Sequence, residues 1–237
     1  MTPLIRNSFV ICRKLRILIG PCAIAAAGAI FAFGGSAATA ADDSAQPPAG
    51  FQSLFDGKTL DGWEGDAKIF RVDDGAIVGG SLQDKIEHNH FLATKAQFEN
   101  FELRLKARLV GQGDNAGVQF RSQRIPNHHE VIGYQADIGL AGEQNIWGAL
   151  YDESRRRKFL ATGDNEQLQK LVNKDGWNEL VVRCEGPRIQ IWVNGLQTVD
   201  YTEAEPDIAR KGILAVQIHS GAPAEAAYKD IWVRKLP

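Results

Sequence analysis

The chain has 237 residues, 44% of them apolar and 24% charged, the balance of a globular protein, which excludes fibrous and low-complexity readings. Its formal charge is -2, but the four basic residues before position 41 (Arg6, Arg13, Lys14 and Arg16) stand in a stretch without a single acid. Taking them from the total of 27 leaves 23 basic against 29 acidic residues, a net of -6, which argues against nucleic acid or an anionic membrane surface as a partner.

In chain order, the basic stretch is followed by Ile17 to Gly35 without a charge and then by Ser36-Ala-Ala-Thr-Ala40. This pattern predicts a secretory signal peptide over residues 1–40, cut after Ala40 or beside Ala41, and export to the periplasm or the medium. A retained anchor is the competing reading, because about 20 apolar residues suffice to span a bilayer. Gly20, Pro21, Gly28, Gly34 and Gly35 weaken that span, so no stable membrane insertion is expected after cleavage. Cys12 and Cys22 leave with the signal. Cys184 is then alone, can form no intrachain disulfide, and reads as a buried thiol within a strand-like run. Residues 41–49 read as a polar, Pro-containing leader and residues 50–237 as one domain.

From Gly50 onward the pattern has a period of two. Phe101-Glu-Leu-Arg-Leu-Lys-Ala-Arg-Leu109 alternates without a break, as a strand with one buried and one solvated face must. Further runs are 68–72, 76–80, 116–121, 134–138, 148–151, 179–184, 188–193, 198–201, 213–219 and 227–234. Asn194-Gly195 between two of them predicts a tight hairpin. A turn or two of helix is expected only near Asn165 to Val172. Many short strands without an internal repeat predict an all-β, antiparallel jelly-roll sandwich.

Three strands carry polar pairs opposite their apolar phase: Gln119 with Arg121, Gln135 with Asp137, and Gln217 with His219. Solvated outer positions of a half-buried sheet explain any one of them. The 101–109 strand, however, spends its outer positions on Glu, Arg and Lys, whereas these use amides, Asp, Arg and His beside Gly and Ala. That choice suits a sheet face that recognises hydroxyls, with Gln and Asp as the hydrogen-bonding partners of a sugar. The run Asp152 to Arg157 next to them reads as a solvated charged loop or as a specificity edge. His88-Asn-His90 and His128-His129-Glu130 have ligand-type side chains but no closed zinc spacing. Asp137, Glu153 and His219 could instead converge on one divalent cation, calcium or manganese suiting such oxygen-rich donors.

Phe55-Asp-Gly-Lys-Thr-Leu-Asp-Gly-Trp63, Asn100-Phe-Glu-Leu-Arg104, Asn115-Ala-Gly-Val-Gln-Phe-Arg121, Gly133-Tyr-Gln-Ala-Asp-Ile138, Leu150-Tyr-Asp-Glu-Ser154, Trp177-Asn178, Val193-Asn-Gly195 and Gln217-Ile-His219 occur in order. Together they resemble the 3-keto-disaccharide hydrolase family, also known as DUF1080, over about residues 50–237. The resemblance implies a sandwich of the concanavalin A-like lectin/glucanase type, exported by bacteria and acting on glycosides whose glucose unit is a ketone at C3. It also implies a site at Arg121, Gln135, Asp137, Tyr151, Glu153 and His219, to which the strand phase adds Gln217.

A C3 ketone acidifies the C2 proton, so a base can form an enolate that expels the C1 substituent, after which water adds. His219 is the expected base. Arg121 or a cation would stabilise the enolate, and Asp137 or Glu153 would orient the sugar, hold the cation or act as acid. A non-catalytic carbohydrate-binding domain and a two-carboxylate glycosidase are the alternatives, the latter requiring two acids about 5 to 9.5 Å apart.

Overall fold

The computed structural model describes residues 45–174 and 176–237. The predicted signal peptide, its cleavage site and the start of the leader lie outside the described residues. The strands are β1 (Gln52–Ser53), β2 (Trp63–Glu64), β3 (Phe70–Asp73), β4 (Ala76–Ser81), β5 (His90–Phe98), β6 (Phe101–Gly111), β7 (Asn115–Arg124) and β8 (Val131–Ala141), followed by β9 (Gln144–Asn145), β10 (Leu150–Glu153) and β11 (Phe159–Ala161). After helix α1 (Asn165–Leu171) come β12 (Asn178–Glu185), β13 (Arg188–Val193), β14 (Leu196–Thr202), β15 (Gly212–Ile218) and β16 (Ala224–Lys235).

These strands make two antiparallel sheets, the layers of a jelly-roll sandwich. The first runs β14-β13-β12-β6-β16-β4-β3 with β1 on β16, and the second runs β11-β10-β8-β7-β15-β5-β2 with β9 on β8. Their inner faces supply one core. Phe101, Leu103, Leu105 and Ala107 of β6, with Leu180, Val182 and Cys184 of β12, meet Ala116, Val118 and Phe120 of β7, Tyr134, Ala136 and Ile138 of β8, and Val216 and Ile218 of β15. The Cys184 thiol is wholly buried, and burial pushes its pKa up to about 12, the inert state expected of it.

Other local expectations are met for identifiable reasons. The β13–β14 hairpin turns at Asn194 (φ 47°) and Gly195 (φ 84°), the two positive φ values a type I′ turn demands. Helix α1 is capped by Asp164, which accepts from the Gln167 backbone N–H at 2.9 Å, and it buries only Leu168. Strand β5 has no counterpart among the expected runs. Its Leu92 packs in the main core while Phe91 and Ala93 pack outward against Val131, Ile213 and Ala215. With both faces covered, the polar half of the alternation is missing. Among the described residues no helix is long and apolar enough to cross a membrane.

Candidate active site

The outer face of the second sheet carries a cleft of about 730 Å³, within the usual range for small-molecule sites. Its floor comes from β8 and β10, which pair Tyr151 with Gln135 and Glu153 with Gly133. The β7–β8 hairpin, with Ile125, His128, His129 and Glu130, forms one wall; Asn115 and His219 line one end, and Tyr151, Arg157 and Phe159 line another side. The hairpin wall is tied down from two directions. Val131 at its base packs on the outer cluster of β5 and β15, and Asn89 donates to Glu130 Oε1 (3.2 Å) while accepting from the Ser220 N–H (3.0 Å).

Alternation alone positions the floor. Gln119, Gln135 and Asp137 form a buried chain in which Ser122 Oγ donates to Gln119 Oε1 (2.7 Å), Gln119 Nε2 to Gln135 Oε1 (2.7 Å) and Gln135 Nε2 to Asp137 Oδ1 (2.5 Å). Gly117 makes this possible: a Cβ there would strike the Gln135 side chain, so the space beside this glycine belongs to Gln135 and not to a ligand. Asp137 is only 2% exposed and has no basic side chain on its oxygens. Burial, which the Gln135 bond opposes and the Glu153 charge reinforces, raises its pKa to about 8. Burial followed by the charge of Glu130 also raises Glu153, whose Oε1 accepts from the Ser154 N–H at 3.0 Å.

His219 stands just past the end of β15. Its Nδ1 lies 2.7 Å from the Ser220 carbonyl oxygen. A carbonyl only accepts, so Nδ1 carries the proton and Nε2 keeps a lone pair. Gln217, two residues back, is fully buried, and neither its Nε2 nor its Oε1 has a partner; Asn115 Oδ1 and Glu130 Oε2 are likewise buried and unpaired at the cleft. Asn115 and Glu130 line the cleft, so their orphan oxygens mark where hydrogen-bonding groups from outside the chain belong.

The structure therefore brings Gln135, Asp137, Tyr151, Glu153 and His219 to one cleft, with Gln217 beside it. It removes Arg121. A bulge between Phe120 and Gln123 puts Arg121 at φ 49° and turns its guanidinium off the Gln119 face. There it donates to Glu99 O (2.9 Å), Gly186 O (2.8 Å) and Asn100 Oδ1 (3.3 Å), joining the two sheets at one end of the core. A strict period of two across a bulge gives the wrong face. Arg155 and Arg156 also depart from a solvated loop: both fold back on the fully buried Asp152, and Arg156 also pairs with Glu203 at 2.6 Å. Of the three arginines only Arg157 lines the cleft, beside Glu153 and Ser154 of the same run.

Two sequence motifs separated by some forty residues meet nearby. His88 meets His90 and His129 in tilted contacts with ring centroids 4.3 and 4.4 Å apart, and His128 stacks on His129 at 4.3 Å, around a smaller cavity of about 340 Å³. The expectation of a cation held by Asp137, Glu153 and His219 does not fit these donors as arranged: among the described residues no three or more His, Cys, Asp or Glu side chains are placed to hold a metal ion. Much of the remaining motif set is scaffold. Asp56 accepts from the Lys58 and Thr59 N–H groups, Trp63 Nε1 donates to Leu54 O, and Asn178 closes the turn before β12 through Asn173. Sequence reasoning missed Asn89, Asn115 as a cleft residue, and Phe159. Asn115 opened a quoted motif and Asn89 stood between His88 and His90; Phe159 belonged to neither.

Residues 50–234 match the family described as the 3-keto-alpha-glucoside-1,2-lyase-like domain. A protein of Bacteroides thetaiotaomicron named 3-keto-disaccharide hydrolase is 34% identical over 96 residues, a stretch covering 35% of this chain and 32% of that protein. Among solved structures, a putative glycosyl hydrolase of Parabacteroides distasonis superposes with a TM-score of 0.58 at 23% identity, covering 79% of this chain and 95% of that one. The carbohydrate-binding module CBM66 of Bacillus subtilis does so with a TM-score of 0.57 at 13% identity, over 73% and 96%. At such identities the likeness to the two structures concerns the fold.

Proposed function

The chain belongs to the 3-keto-alpha-glucoside-1,2-lyase-like family, and from that premise we propose that, after export and loss of residues 1–40, it cleaves 3-keto-glycosides by elimination followed by hydration. The observation that carries this reading is the proton inventory of the cleft: an imidazole with a free Nε2 shares it with a carboxyl group that burial keeps protonated near neutral pH. A base and an acid ready together are what α-proton abstraction beside a ketone requires.

In this mechanism His219 Nε2 takes the proton from C2, and the electron pair moves onto the C3 oxygen as an enolate. Asp137, protonated and held through Oδ1 by Gln135, donates a hydrogen bond to that oxygen, the role Arg121 cannot fill from its place at the end of the core. The enolate collapses, the C1–O bond breaks, and Glu153, its pKa raised by burial, gives its proton to the departing oxygen. Water adds to C1 of the unsaturated ketone, its hydroxyl bonding C1 while its other proton goes back to the Glu153 carboxylate, and His219 returns its proton to C2. The orphan oxygens of Asn115 and Glu130, which line the cleft, accept from the remaining hydroxyls.

The test compares release of the aglycone from a 3-keto-glucoside and from its parent glucoside. Turnover of the keto form alone is expected, because only the ketone makes C2–H acidic enough for an imidazole. Equal rates on both would replace elimination with two-carboxylate hydrolysis, and tight binding of sugar with no turnover of either would make the protein a carbohydrate-binding module.

A further inference from the structure

Among the described residues the large apolar side chains left exposed are Leu82, Leu140, Phe159 and Leu171; Phe159 is the aromatic one, 37% exposed, and it lines the cleft. It lies on the edge strand β11, paired across to Tyr151 of β10, and the two rings meet edge to face with centroids 5.2 Å apart. An aromatic side chain lining a polar cleft offers an apolar surface on which a ring can stack. The hairpin that presents it is built rigidly. Ser154 and Arg157 adopt positive φ (55° and 53°), Arg155 and Arg156 bind the buried Asp152, and Tyr134 donates to Glu203, the second anchor of Arg156, at 2.5 Å. Arg155 also lies over the Tyr134 ring at 4.7 Å. Such a loop pays little ordering entropy when a ligand arrives.

Strand order locates the platform relative to the chemistry. From Asp137 on β8 to Phe159 on β11 there are two strand spacings, about 10 Å at about 4.8 Å each, and His219 lies on the opposite side of Asp137, beyond β7. From β15 to β11 the cleft spans four strand spacings, about 19 Å at about 4.8 Å each, so a single ring bridging His219 and Asp137 leaves its Phe159 end open. We propose that Phe159, backed by Tyr151, is a stacking subsite for the group that leaves C1, and that this group is itself a ring with a flat apolar face, a second pyranose or an aryl unit. The assignment of a leaving group rests on the function proposed above; the ring-stacking subsite stands on the geometry of Phe159 alone.

Phe159→Ala and Phe159→Trp are compared with the wild type on 3-keto-glucosides bearing methyl, phenyl and glucosyl aglycones. The alanine variant is expected to lower the ratio of kcat/KM for ring-bearing over methyl aglycones by about 3- to 10-fold, the range of one aromatic contact, and the tryptophan variant to restore it. The phenyl and glucosyl arms separate an aryl from a sugar partner. A ratio unchanged in the alanine variant would overturn the subsite. In parallel, calorimetry measures binding of the unoxidised methyl, phenyl and glucosyl glucosides, which needs no turnover. If no keto-glucoside reacts, the elimination reading fails, and a ring-selective loss of affinity in Phe159→Ala still upholds the subsite, whereas a uniform loss or none overturns it.

Discussion

The outer faces of the two sheets are made by the same alternation yet differ in how their charges are satisfied. On the first sheet Glu102 is almost buried, but Arg104, Arg183 and Arg234 surround it at 2.7, 3.5 and 2.9 Å. Lys106 pairs with Asp230, Arg71 with Glu225 and Arg188 with Asp200, while Arg104 and Arg234 cover the Phe51 ring. On the second sheet Asp137 and Glu153 face one cleft with no arginine or lysine bonded to either, and the amide of Gln217 is buried with nothing to bond. The paired carboxylates of the first face are finished, each answered by a cation, although the Nε atoms of Arg108 and Arg234 are buried without a partner; the carboxyls of the second face have no such partners, which is what a binding surface does.

The largest effect should come from breaking the unfinished face at its base. His219→Ala should lower turnover of a 3-keto-glucoside by about 100-fold or more, the ordinary contribution of a positioned base, with the fold retained because the ring stands at the mouth of the cleft. Exchange of the C2 proton with solvent deuterium should vanish in the same variant. Exchange that persists in His219→Ala would move the base to a carboxylate.

Asp137 sharpens the contrast, because burial raises its pKa whereas the arginine hydrogen bonds on Glu102 lower that of the carboxyl opposite. Asp137→Asn keeps a hydrogen-bond donor and should retain far more activity than Asp137→Ala, and the fall in rate expected of the wild type as pH rises through about 8 should be absent from it. Stability follows the same proton. With a folded pKa of about 8 against an ordinary value of 3.8, Asp137 holds an extra proton in the native state, so its own contribution to stability is fully present below about 4, is lost as pH rises to about 8 and then levels off. Asp137→Asn should flatten that slope and raise Tm at pH 8 or above. An asparagine variant as inactive as alanine would show that the charge, and not the donor, is used.

How much of this could be read from the chain depends on where periodicity survives. The 101–109 strand, the Asn194-Gly195 turn and the polar phases of β8 and β15 were legible, because one face is core and the other is not. Strand β5 was invisible because Phe91 and Ala93 are covered by the chain around Val131, which lies 38 residues or more away in sequence. Arg121 was misplaced by one bulge. The convergence of His88 and His90 with His128 and His129, and the arrival of Phe159 beside Tyr151, depend on hairpins folding back over a sheet, for which a linear pattern carries no signal.

The smallest expected effect on activity tests the finished face. Glu102→Ala removes the carboxylate that three guanidiniums share, and each of these is more than a third exposed, so water replaces much of the lost interaction. A loss of about 1–2 kcal/mol follows, seen as a fall in Tm of about 2–8 °C. Burial alone would raise the Glu102 pKa, but the hydrogen bonds from Arg104 and Arg234 outweigh it and hold the carboxyl below its ordinary value. The wild-type advantage should therefore be present above pH about 4.5 and disappear as pH falls through the lower folded value. Turnover in the cleft should change by less than about twofold, because the core separates the two outer faces and no hydrogen bond of Glu102 reaches the second sheet. A large loss of turnover in Glu102→Ala, with Tm unchanged, would mean that the two faces are coupled and that the paired face is not merely structural.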